Sequence, residues 1–354
     1  MIPLISALGA AALVVLPALE AAAFDDCPKK PEKCAVFTAM IENDLFARHN
    51  TDRHYTNGLR IGLLSSEDWA EKRLGEASEL LGVPLFEAGT SQRLGVALGH
   101  NIYTPEDKRR RDAILNDRPY AGWLYFGFAL QSETPSRKAQ RDAREGLTVR
   151  RLDTLELDLG VVGPAAAGER VQNDWHRLIG VDPAQGWSNQ LRNEPGVALV
   201  FERKWQFLKS VPTWRYMGID AIPHVSGSVG NVYTYAGAGA MFRIGENLTA
   251  DFGPPRIRPA LPGSGAFDSP DRFAWYLFFG GEGRAVARDI TLDGNTFVDS
   301  RSVAKKALVG DLQVGGALIF TYMRVSYTQI MRTPEFEGQS RPDFFGSLSV
   351  AFRL

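Results

Sequence analysis

From Val36 onward the chain is a succession of short runs in which apolar and polar residues alternate, separated by stretches rich in Pro, Asp, Arg and Gly. Successive side chains of a strand point to opposite faces, so a period of two predicts β-strands with one apolar face. In the last run Leu348, Val350, Phe352 and Leu354 alternate with Ser347, Ser349, Ala351 and Arg353. In YTNGLRIGLL the same rule puts Tyr55, Asn57, Leu59, Ile61 and Leu63 on one face, and Thr56, Gly58, Arg60 and Gly62 on the other. Segments of this kind fall near 36–44, 55–65, 92–103, 122–131, 152–162, 196–206, 214–225, 232–243, 273–284, 309–320, 323–331 and 344–354, predicting about twelve strands. Most are close to the roughly 9–11 residues with which a tilted strand crosses a bilayer, and an even strand number suits a closed barrel.

A soluble sandwich or lipocalin-like barrel would alternate as well, so the polarity of the hidden face has to decide. Arg60, Glu156, Asp158, Glu202, Lys204, Asp220, Glu282 and Arg284 alternate with large apolar residues. A lumen can hold such charges while the apolar set faces lipid. The predicted fold is therefore all-β, a twelve-stranded antiparallel transmembrane β-barrel. Trp123, Tyr125, Trp205, Trp214, Trp275 and Tyr276 are expected in the aromatic girdles at its two interfaces.

One stretch breaks the pattern. In GERVQNDWHRLIG the residues Val171, Trp175, Leu178 and Ile179 recur at helical spacing, and Gln172 and His176 lie together on another face. A short amphipathic helix in an inter-strand loop is expected, set against the barrel rim or inner wall.

The first 23 residues form an apolar run ending in small residues, with Ala21 and Ala23 placed for cleavage before Phe24. This predicts a signal peptide at 1–23 and one barrel domain at 24–354, although the run lacks a basic n-region. An uncleaved anchor is the weaker reading, because Pro17 and Glu20 interrupt the run. In an exported chain the neighbouring Cys27 and Cys34 are expected to form a disulfide, and too few ligands lie near them for zinc.

Forty basic and 41 acidic residues give a net charge of -1, which leaves no general field to attract nucleic acid. Any basic site has to be local, and Lys108, Arg109, Arg110 and Arg111 supply one. Arg109–Arg111 are candidates to bind phosphate through planar, bidentate donors. Of the five histidines, His176 stands out: it shares a helix face with Gln172, and Asp182 follows closely enough to orient an imidazole acting as a base. Asn43 and Asp44 are adjacent, so they can serve one site only where the strand bulges or ends; a carboxylate beside an amide could hold a hard cation and polarise a carbonyl.

ENDLF, TDRHYTNG, DRPYAGW, LGVVGP followed by VQNDWHRLIG, and QGWSNQL together resemble the LpxR family of outer-membrane lipid A 3'-O-deacylases, nearly end to end. The resemblance implies a twelve-stranded barrel in the bacterial outer membrane, expected as a monomer, with lipid A or lipopolysaccharide as substrate and the bilayer as surroundings. It implies a rim site holding Asn43, Asp44, Thr56, Gln172, His176 and Asp182, and Ca2+ as cofactor with Asp44 as its ligand. His176 would be the general base, and Asp182 stands where the family has an acidic residue, here Asp rather than Glu. The chain ends in Phe352, Arg353 and Leu354, without the terminal aromatic residue common in such barrels.

Two other functions compete. A phospholipase A type hydrolase would need a Ser and a His close together, which only His224 with Ser226 in PHVSGSVG offers; the small residues there predict a turn or bulge. A passive channel would use the polar cluster merely as lumen lining.

Overall fold

The computed structural model describes residue 27 and residues 33–46, 53–81, 90–134, 148–210, 217–257, 265–268 and 273–354. The expected signal segment 1–23 and Trp214 lie outside them. Twelve antiparallel strands close into a barrel in which each pairs with its sequence neighbours and β1 pairs with β12. They are β1 (Val36–Asn43), β2 (His54–Leu64), β3 (Ser91–Thr104), β4 (Ala121–Thr134), β5 (Thr148–Val162), β6 (Glu194–Ser210), β7 (Met217–Gly230), β8 (Tyr233–Glu246), β9 (Ala274–Asp289), β10 (Leu308–Ile319), β11 (Met323–Arg332) and β12 (Asp343–Arg353). Connections from odd to even strands gather at one rim, and the others at the end that carries both chain termini. Two longer helices lie in connections: α1 (Glu67–Leu81) between β2 and β3, and α2 (Gly168–Ile179) between β5 and β6. No helix among the described residues is long and apolar enough to cross a membrane, which leaves spanning to the strands.

The faces divide by polarity as the alternation requires. Phe126, Phe128, Leu155, Leu159, Phe201, Phe242, Ile244, Leu277, Phe279, Leu312 and Val314 are exposed on the outside, while Glu156, Asp158, Glu202, Lys204, Asp220, Glu282 and Arg284 are buried within and Arg60 is half-buried there. That is the inside-out arrangement of a wall bathed in lipid.

The lumen is filled rather than open. Lys204 pairs with Glu202 at 2.7 Å, Arg60 with Glu156 at 2.6 Å, and Asp311 receives both Arg284 and Arg332. The β8–β9 connection folds into this interior. Its Asp251 takes hydrogen bonds from Arg243, Arg324 and Tyr276, three residues of three different strands, and its Arg256 reaches Glu42 near the distal end of β1 at 2.8 Å. Phe252, beneath the Arg150 guanidinium at 4.6 Å, is 1% exposed. Each of these buried ion-paired charges has a partner of opposite sign, which offsets the desolvation that would otherwise forbid it.

Two expectations about faces need correction. Trp123, Tyr125 and Tyr276 are lumen residues, not girdle residues: Trp123 and Tyr125 stack at 5.3 Å, and Tyr276 donates to Asp251. Trp205 and Trp275 do lie half-exposed on the outer surface. In β2 the register against β3 shifts between Tyr55 and Asn57, so Thr56 is a bulge. One extra residue reverses the parity of everything before it. Tyr55 therefore turns inward beside Gly58, away from the face of Leu59, and packs on Tyr103 and Phe345. The segment PHVSGSVG is neither turn nor bulge but the interior of β7, with His224 and Ser226 both inward. At the terminal end Cys27 and Cys34 are joined as a disulfide, and Arg353 of β12 donates to the Cys27 carbonyl at 3.2 Å.

Candidate functional site

The site assembles on the outer side of the wall. Residues directly opposite in an antiparallel pair share a face. Gly99 is filled by the inward Tyr125 ring, so its partners in parity, Asn101 and Tyr103, also face in, while His100 and Ile102 face out. Their opposite numbers Leu124 and Gly122 face out too, as do Leu59 and Asn57 on β2 and, across from Asn57, Asn43 at the end of β1. Asn43, Asn57 and His100 are thus polar residues at outward positions of a wall whose outer face is mostly apolar.

The helix α2 covers this polar patch. A Cβ on Gly122 would touch the Ala166 methyl at 3.1 Å and the backbone of Gly168 at 3.3 Å, so glycine lets the helix start lie against the wall without displacement. The motif residues around it clamp the loop. Tyr120 packs on Trp187 with ring centroids 4.9 Å apart, and Trp187 packs into a buried cluster with Ile102 and Ala184 against which Val171 rests. Arg118, 1% exposed, bonds to Glu335 and Thr291 and lies over the Tyr103 ring. The β3–β4 and β5–β6 connections are tied by main-chain contacts, Gln185 N–H donating to the Lys108 carbonyl at 2.8 Å and Asn189 to that of Arg111 at 2.7 Å.

With the helix so placed, Gln172 and His176, one turn apart, turn toward the barrel and are each 3% exposed. The apolar residues expected to pack there do not: Trp175 and Leu178 are exposed, while Val171 is half-buried and the Ile179 side chain lies outside the described part. Trp187 Nε1 donates to Gln172 Oε1 at 2.8 Å, leaving the buried Gln172 Nε2 as a donor without a partner among the described residues. His176 Nδ1 lies 2.8 Å from the main-chain carbonyl of Asp182. A carbonyl only accepts, so Nδ1 carries the proton and Nε2 of the neutral ring carries the lone pair. The carboxylate of Asp182 is not what orients the imidazole; its side chain is exposed.

On the other side, β1 ends at Asn43, and Asp44 opens a 3-10 turn, Asp44–Phe46. The strand end is what lets the adjacent pair serve one site. Both are buried. Asp44 Oδ2 accepts from the Arg53 N–H at 2.7 Å, and Oδ1 is buried with no partner among the described residues. Thr56 shares a hydrogen bond of 2.7 Å with Thr104. The bulge is what swings it to that position.

Sequence reasoning missed three contributors. Lys108, half-buried, is the cation whose field reaches both Asp44 and His176. Burial raises Asp44 to about 7 against the lowering effect of Lys108 and the Arg53 N–H, and the same burial lowers Lys108 to about 8. Burial holds His176 below the ordinary imidazole value against the Asp182 carbonyl, and Lys108 adds a smaller lowering effect. Arg53 and His54 are the other two. His54 has a φ of 59°, strained for a residue with a side chain, and is held by Asp343 at 2.7 Å and Asp117 at 3.5 Å. The Arg53 guanidinium binds Glu106 and the same Asp343. Three connections are thereby locked around the residue that caps Asp44. By contrast, Arg109, Arg110 and Arg111 are all exposed.

The donors fit a hard cation at Asp44, whose Oδ1 is a buried anionic oxygen in want of a partner. Asp44 would act with amide, hydroxyl or main-chain oxygens, because no group of three or more His, Cys, Asp or Glu suited to a metal occurs among the described residues.

A wall apolar without, charged within, and bearing its reactive side chains on the lipid side of one rim defines an integral outer-membrane β-barrel. The family described as outer membrane protein LpxR matches residues 7–354, and this chain belongs to it. Among solved structures, LpxR from Salmonella typhimurium is similar, with a TM-score of 0.69 and 22% identity, covering 90% of this chain and 99% of that one. The β domain of the Bordetella autotransporter BrkA (TM-score 0.39, 8% identity, 90% and 97% covered) and the translocator domain of NalP from Neisseria meningitidis (0.37, 9%, 98% and 98%) are far less similar. No curated protein matches by sequence.

Proposed function

We propose that the protein is a lipid A 3'-O-deacylase, hydrolysing an acyl ester of lipid A with His176 as general base. The observation that carries this reading is the tautomer fixed by the Asp182 carbonyl, which leaves the lone pair on Nε2 of a buried imidazole that feels the same Lys108 ammonium as Asp44. As water attacks the ester carbonyl carbon, His176 Nε2 takes its proton. Charge then develops on the carbonyl oxygen, to which the Gln172 Nε2 group would donate while the Lys108 ammonium adds its positive field. Collapse expels the sugar alkoxide, to which the imidazolium returns the proton, giving a hydroxyl on the sugar and a free carboxylic acid. Asn43 and Thr56 would help to stabilise the charged carbonyl oxygen. Calcium held by Asp44 would supply Lewis-acid polarisation of the carbonyl oxygen. Arg109–Arg111, exposed on the same rim, would meet lipid A phosphate in the headgroup layer.

Mass spectrometry of lipid A from cells expressing the chain tests this. Wild type should remove the 3'-linked acyloxyacyl group, and His176→Ala should retain it, a loss of about 10²–10⁴-fold for a general base. Lysophospholipid with intact lipid A would instead favour a phospholipase. Against that alternative, His224 Nε2 is engaged by Glu282 at 3.0 Å and both it and Ser226 sit inside the filled lumen, behind the wall from bilayer lipid.

A further inference from the structure

Glu42 is the last residue of β1 to face the lumen before Asn43 and Asp44 carry the chain into the outer site, and it is wholly buried. Its neighbours across the two ladders, Ser347 on β12 and Gly58 on β2, bring no charge. The cation comes instead from the β8–β9 connection, which starts at the opposite end of the barrel. Arg256 Nε and one terminal nitrogen donate to the two carboxylate oxygens of Glu42 at 2.8 and 3.4 Å, and the Ile257 N–H adds a third bond at 3.2 Å. A planar fork meeting a carboxylate in this way fixes orientation as well as distance. The other terminal nitrogen reaches Gln313 Oε1 on β10 at 3.5 Å, so the guanidinium is also held from a second part of the wall.

The same two residues support the bulge in β2. The Arg256 guanidinium lies over the Phe345 ring at 5.4 Å, and Tyr55, next to Thr56, packs edge-on against that ring at 5.1 Å. A Cβ on Gly58 would come within 3.0 Å of Ile257 Cδ1 and closer still to the Tyr55 hydroxyl, so the connection and the inward tyrosine together fill the hollow that this glycine leaves. A barrel wall is one residue thick, and consecutive Cα atoms are only about 3.8 Å apart. Whatever fixes Glu42 and Tyr55 from within therefore fixes Asn43, Asp44 and Thr56 on the other side.

We infer that Arg256 is a positioning residue of the site: from inside the barrel it sets the end of β1 and the bulge of β2, and through them the side chains of Asn43, Asp44 and Thr56. It touches no reacting atom. Its effect on catalysis rests on the deacylase reading; its hold on the strand end does not.

The test compares Arg256→Met with Arg256→Lys, and with Glu202→Gln, which weakens an equally buried ion pair on β6, far around the barrel from β1. All use the full chain in vesicles containing lipid A, with the heat-modifiable shift on gels confirming the folded barrel. Arg256→Met should lower kcat about tenfold and leave KM within about twofold, because the outer surface that receives lipid is untouched. Arg256→Lys should restore most of the rate, and Glu202→Gln should keep it. An undiminished kcat in folded Arg256→Met, or an equal loss in Glu202→Gln, overturns the inference. If Arg256→Met does not fold, Glu42→Gln, which keeps the shape of the side chain and removes its charge, takes its place with the same two readings. A second measurement needs no activity: hydrogen exchange at the Arg53 amide, the donor to Asp44, should quicken about tenfold in Arg256→Met and not in Glu202→Gln. Unchanged exchange in Arg256→Met also overturns the inference. Wild type inactive on lipid A would sink the deacylase reading alone, since the exchange still reports what holds the strand end.

Discussion

At the scale of single residues, the chemistry depends on partners as much as on the side chains themselves. Because His176 is oriented by a main-chain carbonyl, Asp182→Asn should leave most activity intact, within about threefold by analogy with other exposed substitutions; a loss approaching that of His176→Ala would show that the carboxylate acts directly. Lys108 sets the pH response. A base works above its pKa, and Lys108 helps hold His176 down, so neutral imidazole persists to lower pH. The same ammonium lowers Asp44 against burial. Lys108→Met removes both effects in the same direction, so the acid limb of the rate profile should move to higher pH in initial-rate measurements; an unmoved limb would take Lys108 out of the site's electrostatics. His176 could be picked out from the sequence because its helix neighbours were informative. Lys108 could not be distinguished from the three arginines that follow it, since burial of one member of a charge run depends on contacts made by a distant loop.

At the scale of elements, all twelve strands were readable because alternation reports burial directly, although some ends, such as 214–225 against Met217–Gly230, were placed several residues off. Predicted strands at 92–103 and 323–331 compare with Ser91–Thr104 and Met323–Arg332. What alternation could not carry through was the bulge at Thr56, where an uninterrupted period of two gave the wrong face for Tyr55. The helix was legible as a helix, but its buried side was not, since burial of an apolar stripe is the normal expectation and here the polar side faces the protein. A clue was available: Asn43, Asn57 and His100 break the apolar outward series on three adjacent strands. The fit of α2 to the wall gives a test. Gly122→Val should lift the helix start and abolish activity while the barrel still shows its heat-modifiable shift on gels. Full activity in that variant would mean that the helix need not touch the wall.

For the whole molecule, the internal ion pairs and the β8–β9 connection decide between enzyme and channel. With the lumen crossed by paired charges, the protein in planar bilayers should show no ion conductance; discrete open steps would reinstate the channel reading. Asp251 joins three strands to the inner connection, so Asp251→Ala takes one carboxylate from both Arg324 and Arg243 and leaves Arg243 with Asp220. Breaking such a buried set should destabilise the barrel by about 3–5 kcal/mol, read as a lower urea midpoint for unfolding from micelles. An unchanged midpoint would show that water solvates these arginines in the lumen. Removing calcium with a chelator should lower turnover reversibly and leave that midpoint unmoved, which separates a cation used in the reaction from one used in folding.

The placement of the reactive side chains on the outside of a stoppered cylinder changes the dimensionality of the encounter. A ligand meets them by drifting within a sheet two molecules thick, so surface density, not molarity, governs how often the site is visited. On the deacylase reading, the products of the cut would be shed back into that same leaflet.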